Sequence, residues 1–258
     1  MIDPSALIDP TAQLGDAVEV GPEAIIESGV AIGSHTRIAS QAVIKTGTRL
    51  GSHVSVGSQS VIGGLPQDFS FDPFLPSGVE VGDYVQMGIG VTIHRATQVG
   101  AVTRLCESSI LEDYAHIGHD SCVESHVYLG AHVLVGGHVA IASHARIGAH
   151  SGIHQRMRVG TYALVDEATT ATLSIPPYML CRGRNEFPGF PEEYLEEVAG
   201  ITQATLTDLK ACFHALHVSP GPPKPKAQTA LDAQLPKTEA GKIFLQFFIE
   251  APASHLPH

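Results

Sequence analysis

Side chains suited to proton transfer are concentrated in one segment, positions 116–155. Within it, His119 is followed directly by Asp120, and His138 and His154 come further along the chain. An imidazole changes its protonation state near neutral pH, so it can take a proton from an attacking hydroxyl group or hold a metal ion. A neighbouring carboxylate can orient the imidazole. The segment is therefore a candidate for acid–base chemistry if the fold brings these side chains together.

A repeat of six residues determines where these side chains lie. One aliphatic residue recurs at every sixth position from Ile8 to Ile62 and, after an irregular stretch at 63–80, from Val81 to Val165. Val99 is one of the inward residues that this spacing predicts. A helix needs a period of about 3.6 and an ordinary strand a period of about 2, so the repeat favours short strands joined by turns. Such strands coil into a parallel β-helix whose aliphatic side chains stack inside.

The hexapeptide pattern resembles the left-handed parallel β-helix, in which three hexads form one triangular coil. In that fold, the hexads that contain His119, His138 and His154 lie on the same side of successive coils. The cluster of polar side chains on that side is the sharpest local signal in the sequence. It consists of two neighbouring columns, namely Asp120, His138 and Arg156, and His119, Gly137 and Gln155.

The remaining histidines of the repeat weaken an argument from abundance. The chain has 15 histidines, and four of them recur three positions after an aliphatic residue, on all sides of the coil. We interpret these four as solvated outer positions that tolerate many residue types. His138 occupies the same position of the repeat, so spacing alone distinguishes it only in part. The four are His126, His132, His144 and His150.

Composition excludes several classes of function. Hydrophobic residues make up 43% of the chain, which is too much for a disordered protein. The net charge of −11 disfavours non-specific binding to nucleic acid. We find no apolar run of membrane-spanning length and no secretory leader, so we expect a soluble, cytoplasmic protein without an integral membrane segment. The four cysteines form neither a CxxC pair nor a disulfide framework, and they are Cys106, Cys122, Cys181 and Cys212.

The repeat fades after Val165, and the prolines at 176–177 end it. We therefore expect a mainly β protein with two domains, a β-helix at 1–175 with an external loop at 63–80 and a C-terminal helical domain at 176–258. Apolar spacing and breaker residues within the second domain predict helices at 192–198, 203–217 and 242–250, and a proline-rich linker at 219–226.

The chain carries an ordered set of motifs, namely VTIHR at 91–95, AHIGHD at 115–120, GHV at 137–139, IHQ at 153–155 and PPY at 176–178. The Met1-Ile2-Asp3 start and the Gln67-Asp68 pair in the irregular loop belong to the same set. On these residues the chain resembles the acyl-ACP–UDP-N-acetylglucosamine O-acyltransferases, which catalyse the first step of lipid A synthesis. The resemblance covers nearly the whole chain, including the loop and the helical tail.

The resemblance implies a homotrimer with active sites in clefts between adjacent β-helices. It implies that His119 is the general base for the sugar 3-hydroxyl, that Asp120 orients the imidazole or contacts a ligand, and that the Gly137 N–H forms the oxyanion hole. The donor would be an acyl carrier protein and the acceptor a UDP-sugar, and the reaction needs neither a cofactor nor a metal. The residues implied to bind the sugar nucleotide are Asp68, His116, His138, His154 and Gln155.

Charge near the site bears on the donor, because acyl carrier proteins are acidic. The segment 125–165 contains no Asp or Glu. Either this segment forms a basic zone that steers the carrier, or coils of this kind are merely poor in charge. The arginines concerned are Arg146, Arg156, Arg158, Arg182 and Arg184.

Three departures from the family pattern bear on substrate choice. Ser70 stands where the family usually has a lysine, and Glu167 stands near the acyl-chain ruler, where a small or apolar residue is usual. The acidic stretch 192–197 lacks the Asn and Arg ligands of the family. The sequence therefore leaves open the acyl chain length, the exact nucleotide sugar and the docking of the carrier.

Three other functions fit parts of the pattern. A paralogous acyltransferase would act on a different nucleotide sugar, consistent with Ser70 and the acidic stretch. A metal enzyme resembling the γ-class carbonic anhydrases would hold zinc with His116, His119 and His138, although the five-residue histidine spacing of that class is missing. A scaffold without catalytic activity would only organise partners, and the paired site motifs speak against it.

Overall fold

The structure, a computed structural model, describes residues 1–218, 220–250, 252 and 255–257. Short strands form three parallel sheets, and each strand pairs with a strand one coil away. The first sheet consists of β1 (Leu7–Ile8), β4 (Ile25–Ile26), β7 (Val43–Ile44), β10 (Val61–Gly64), β13 (Thr92–His94), β16 (His116–Ile117), β19 (Leu134–Val135), β22 (Gly152–Ile153) and β25 (Thr170–Ala171).

The other two sheets complete each triangular coil. The second sheet consists of β2 (Gln13–Leu14), β5 (Ala31–Ile32), β8 (Thr48–Leu50), β11 (Gly78–Val81), β14 (Val102–Leu105), β17 (Cys122–Val123), β20 (Ala140–Ile141) and β23 (Arg158–Val159). The third consists of β3 (Glu19–Val20), β6 (Arg37–Ile38), β9 (Ser55–Val56), β12 (Gln86–Met87), β15 (Ile110–Leu111), β18 (Tyr128–Leu129), β21 (Arg146–Ile147), β24 (Leu164–Val165), β26 (Leu180–Arg182) and β27 (Glu186–Gly189), of which β27 pairs antiparallel to β26.

Most strands have two residues and contribute one inward and one outward side chain to the coil. In the first sheet Ile117 lies opposite Val135, which lies opposite Ile153, and all three are buried. Successive side chains of a strand point to opposite faces, so the residue before each aliphatic residue faces outward. The stacked aliphatic residues therefore form a continuous core, and the outward residues of neighbouring coils form columns.

Two loops leave the β-helix, although the sequence predicted one. The first loop (65–77) connects β10 to β11, and the second loop (95–101) connects β13 to β14. The prediction that Val99 points inward is wrong, because Val99 lies in the second loop and is 72% exposed. Both loops leave at the corner between the first and second sheets, on consecutive coils, and the next coil carries His119 at the same corner.

Aromatic rings stack along two other corners of the triangle. The corner residues adopt left-handed backbone conformations, with φ of 61° at His126 and 64° at His144. The rings of these two histidines lie 4.8 Å apart, and His144 stacks on Tyr162 at 4.6 Å. His132 stacks in the same way on His150, at 5.0 Å. The four histidines interpreted as tolerant outer positions therefore make ring contacts along the coil axis.

The described part of the helical region contains four helices. One of them, α3, was not predicted, and it begins within the predicted linker. Prolines are acceptable there since the first turn of a helix has no partner for its N–H groups. The helices are α1 (Glu192–Ala199), α2 (Gln203–His217), α3 (Pro223–Asp232) and α4 (Glu239–Glu250).

A buried carboxylate and an ion pair fix the position of α4. The Asp208 carboxylate accepts hydrogen bonds from the backbone N–H groups of Lys237 and Thr238, each at 2.9 Å. Arg158 of the second sheet pairs with Glu250 at 3.1 Å. These contacts fix the start of α4 and connect its end to the β-helix.

The two-domain division at 175/176 stays a prediction. Positions 219, 251, 253, 254 and 258 of the predicted helical domain lie outside the described residues, and so does the first residue of the predicted linker. None of the helices in the described part of the chain has the length and hydropathy needed to cross a membrane.

Candidate active site

A histidine–carboxylate dyad lies at the corner that follows β16. His119 Nδ1 lies 2.7 Å from Asp120 Oδ2, and the two side chains are only 13% and 12% exposed. An ionised carboxylate only accepts hydrogen bonds, so Nδ1 carries the proton and donates it to Asp120. The Nε2 atom of His119 is then the unprotonated nitrogen, and it is free to act as a base.

Burial and three neighbouring residues determine the charge state of Asp120. Burial of its carboxyl raises its pKa. Hydrogen bonds from His119 and Thr97, together with the nearby His138, lower the pKa by more than burial raises it, so the pKa lies below its usual value. Thr97 donates from its backbone N–H to Oδ1 at 3.0 Å and from its hydroxyl to Oδ2 at 2.8 Å. Asp120 is therefore an anion at neutral pH, held by donors on both of its oxygens.

Gly137 lies directly against the imidazole of His119. A Cβ atom at position 137 would be 2.7 Å from His119 Nε2, which is closer than a Cβ atom approaches another heavy atom. The imidazole can keep its position only because glycine leaves this space empty. The base and the Gly137 backbone therefore face the same small volume.

The N–H of Gly137 has no acceptor among the described residues. The corresponding N–H at other corners donates to a carboxylate of a neighbouring coil, which shows that the corner directs this group outward. The geometry of the corner therefore suits an oxygen anion. The other donors and acceptors are Ser52 to Asp83 at 2.7 Å, Ile89 to Asp113 at 2.8 Å and Ala131 to Glu112 at 3.1 Å.

His138 lies beside the dyad, but the three groups do not have the spacing of a zinc site. Its Nε2 atom is 3.6 Å from Asp120 Oδ2, and ligand atoms of His119, Asp120 and His138 lie within 4.8 Å of one another. Two ligands of a tetrahedral zinc with bonds of about 2.0 Å are separated by about 3.3 Å. The 2.7 Å between His119 and Asp120 is shorter, and it fits a hydrogen bond. His116 is not in this group, so the predicted set of three histidines does not assemble.

His116 is an uncharged imidazole on the surface of the first sheet. Burial, followed by the effects of His94 and His119, lowers its pKa to about 4. A hydrogen bond of 2.8 Å joins its Nδ1 to the Thr92 hydroxyl, and its ring packs edge-on against His94. His116 therefore offers a neutral imidazole to a ligand, fixed in orientation by Thr92.

An open groove of about 710 Å³ connects most of the predicted ligand-binding residues. It runs across the first sheet from Tyr114 to the dyad, and Leu134 on its floor is 58% exposed. Predicted site residues that line it are His116, His119, Gly137, His154 and Gln155, together with Gln67 of the first loop.

Asp68 does not line this groove. It is exposed on the first loop, and its carboxylate accepts hydrogen bonds from the Ser70 N–H at 2.8 Å and the Ser70 hydroxyl at 2.7 Å. These two bonds lower the pKa of Asp68 below its usual value. Ser70, which departs from the family pattern, thus supplies the donors that orient Asp68.

The arginines of the charge-poor segment are distributed over different sides of the molecule. Arg146 lies on the third sheet over the ring of Tyr128, and Arg158 lies on the second sheet, paired with Glu250. Arg156 is exposed at the corner of the dyad. Only Arg156 of these three is beside the groove, because neighbouring positions in sequence face different sides of a three-sided coil.

Sequence reasoning missed three threonines that support the site. Thr97 binds the Asp120 carboxylate, Thr92 binds His116, and the Thr103 hydroxyl accepts a hydrogen bond of 2.8 Å from the Asp120 N–H. Thr97 lies in the second loop, outside the coil, so the six-residue spacing does not indicate where its side chain lies. Thr92 was detectable, because the residue before an inward aliphatic residue faces outward on the first sheet.

The chain is similar to several acyltransferases. No protein-family model matches it. It is 50% identical over 121 residues to the acyl-[acyl-carrier-protein]–UDP-N-acetylglucosamine O-acyltransferase of Pseudomonas putida W619, over 46% of each chain. It is 57% identical over 122 residues to the enzyme of the same name from Pseudomonas syringae pv. tomato, over 47% of each chain. The chain thus spans about half the length of the curated relatives it matches.

Solved structures match over almost the full length. The UDP-N-acetylglucosamine acyltransferase from Campylobacter jejuni has a TM-score of 0.90 at 26% identity, and the match covers 100% of this chain and 99% of that one. The enzyme from Bacteroides fragilis 9343 has a TM-score of 0.88 at 28% identity, covering 96% of each chain. These likenesses and the sheet topology confirm the predicted fold class, a left-handed parallel β-helix with a C-terminal helical region.

We expect the substitution Gly137→Ala to break the dyad geometry. The added methyl group would lie 2.7 Å from His119 Nε2, so the imidazole must rotate and its Nδ1 must move away from Asp120. A crystal structure of the variant measures this displacement. Gly152→Ala is the matched control, because a methyl group there meets nothing within 4 Å. An unchanged distance between His119 and Asp120 in Gly137→Ala would contradict this account of the glycine.

We expect protonation of His116 to lower the free energy of unfolding as the pH falls. The unfolded chain binds a proton at this residue below about pH 6.5, whereas the folded chain does so only near pH 4, so acid favours the unfolded state. The wild type should therefore lose about 1 to 2 kcal/mol more stability than His116→Gln between pH 7 and pH 5, allowing for partial screening by water. Urea unfolding at both pH values measures this difference, and equal losses in the two proteins would refute it.

Proposed function

We propose, because this chain belongs to the acyl-ACP–UDP-N-acetylglucosamine O-acyltransferase family, that it transfers an acyl chain from acyl carrier protein to the 3-hydroxyl of UDP-N-acetylglucosamine. The donor group would be a 3-hydroxyacyl chain, and the reaction would be the first step of lipid A synthesis. One observation carries the proposal: His119, oriented by Asp120, places its free nitrogen against Gly137, whose N–H has no acceptor among the described residues.

The reaction follows from the positions of these groups. The sugar 3-hydroxyl lies at His119 Nε2, which takes its proton as the oxygen attacks the thioester carbonyl carbon. The resulting oxyanion accepts a hydrogen bond from the Gly137 N–H, in the manner of the corner N–H groups that bind carboxylates elsewhere in the fold. Collapse of the intermediate breaks the carbon–sulfur bond, and the leaving thiolate takes the proton back from the imidazolium.

Asp120 acts on the base rather than on the substrate. Its negative charge stabilises the imidazolium that forms during the attack, and its hydrogen bond keeps Nε2 in the unprotonated form beforehand. Because donors hold both of its oxygens, the carboxylate does not need to reorganise during the reaction.

The groove supplies groups for the acceptor. His116 offers a neutral imidazole, while His154 and Gln155 are exposed at the far side of the dyad. These groups suit the hydroxyl, amide and uracil groups of a UDP-sugar, which are recognised by hydrogen bonds. His138 at the dyad and Asp68 on the first loop would complete the binding site.

We propose that the protein is a homotrimer and that it is located in the cytoplasm. The groove is open, and its floor exposes Leu134, an apolar side chain that a neighbouring copy would cover. The active site would then form between two copies. All four cysteines are free thiols, which fits a reducing compartment.

The other candidate functions receive less support. The dyad has the spacing of a hydrogen bond and not of two zinc ligands, and the comparisons do not favour a metal enzyme. A paralogue acting on another nucleotide sugar shares the same base and oxyanion donor. Only the choice of acceptor distinguishes it.

Acyl transfer from a panel of acyl carrier protein donors, read by mass spectrometry, tests the proposal. We expect product with UDP-N-acetylglucosamine from the wild type, and a loss of rate of about 10² to 10⁴ in His119→Ala. His150→Ala is the matched control, because His150 is a corner histidine on a different side of the coil, and it should retain activity. Product with other nucleotide sugars but none with UDP-N-acetylglucosamine would show that the proposed acceptor is wrong. Full activity in His119→Ala would overturn the mechanism.

A further inference from the structure

Two imidazoles lie near one carboxylate at the active site. His119 Nδ1 is 2.7 Å from Asp120 Oδ2, and His138 Nε2 is 3.6 Å from the same oxygen. The terminal torsion of an aspartate is broad, so a carboxylate held by one partner alone can turn toward a competitor. The base is therefore well defined only if a further contact fixes the Asp120 carboxylate.

Thr97 provides that contact. Its N–H donates to Oδ1 at 3.0 Å and its hydroxyl donates to Oδ2 at 2.8 Å, so it holds both carboxylate oxygens at once. We propose that Thr97 is a positioning residue that directs the Asp120 carboxylate to His119 rather than to His138. Its effect on catalysis rests on the proposed function, whereas the choice between the two imidazoles does not.

The second loop is built to hold Thr97 in place. Ala96 is fully buried, and its carbonyl accepts a hydrogen bond of 2.5 Å from the Ser77 hydroxyl at the end of the first loop. The Gly100 N–H donates to the Pro76 carbonyl at 2.8 Å. The two loops therefore fix each other, and Thr97 lies between two anchored positions.

A second contact between the loops extends this support. Arg95 donates to the Pro73 carbonyl at 2.5 Å and lies over the Phe71 ring, 5.1 Å from its centre. Phe71 and Pro73 belong to the first loop, which also carries Gln67 and Asp68. The structure thus connects the loop beside the groove to the dyad through Arg95 and Thr97.

Two substitutions test the role of the hydroxyl. Thr97→Val keeps the shape and the backbone N–H but removes the donor to Oδ2, whereas Thr97→Ser keeps the donor. We expect Thr97→Val to lower kcat about tenfold, with KM changed by less than about twofold, and Thr97→Ser to restore most of kcat. A purely structural role predicts the opposite pattern, in which both variants lose active protein and the serine gives no rescue.

The pH dependence supplies a further readout. A carboxylate that has turned from His119 toward His138 stabilises the His119 imidazolium less, so the acid limb of kcat/KM should move to lower pH in Thr97→Val. Loss of folded protein would lower the rate at every pH without moving the limb. An unmoved limb together with an unchanged kcat would overturn the proposal.

A crystal structure of Thr97→Val separates this inference from the proposed function. We expect the Asp120 carboxylate to turn toward His138 and its distance to His119 Nδ1 to lengthen, while Thr97→Ser keeps the wild-type arrangement. An unchanged carboxylate in Thr97→Val refutes the positioning role even if the enzyme is active. Absence of acyl transfer by the wild type refutes the proposed function, and the carboxylate position still decides the role of Thr97.

Discussion

The pairing of each strand with the strand one coil away is the constraint on which the rest of the molecule depends. His116 lies opposite Leu134 and Leu134 opposite Gly152, so residues eighteen positions apart are neighbours. The ladder satisfies the backbone groups of the strands, and the aliphatic core fixes which side chain of each strand faces outward. Residues 119, 137 and 155 therefore meet at one corner although they are distant in sequence, and a single slip of register would separate them.

The corners of the coil supply the groups of the candidate active site, because the ladder leaves some of their backbone N–H groups without a partner strand. At a corner the N–H of the second residue after the inward aliphatic residue lies outside the ladder, and several corners use it to bind a carboxylate, as Ser52 binds Asp83. At Gly137 the same group has no protein acceptor among the described residues, and the imidazole of His119 lies beside it. A structural device of the fold thus becomes an oxyanion donor where the partner carboxylate is missing.

The sequence was sufficient for the coil and for the columns of the site, because both depend on a strict period and on register alone. It was not sufficient for the second loop, because Val99 keeps the six-residue spacing although it lies outside the coil. Thr97 was missed for the same reason, since a loop follows no period. The start of α3 was missed because prolines end a helix in its interior but begin one at its first turn. Stacking of His126 on His144 needs the spacing between coils, which a sequence pattern does not contain.

The central claim is that Asp120 holds the proton of His119 on Nδ1 and leaves Nε2 free as the base. Nitrogen NMR of the wild-type protein with labelled histidine rings, at neutral pH, tests it most directly. We expect His119 to show a protonated Nδ1 in a strong hydrogen bond and an unprotonated Nε2. A His119 ring that carries its proton on Nε2 instead would contradict the account, because the nitrogen that faces Gly137 could then not accept a proton from the substrate.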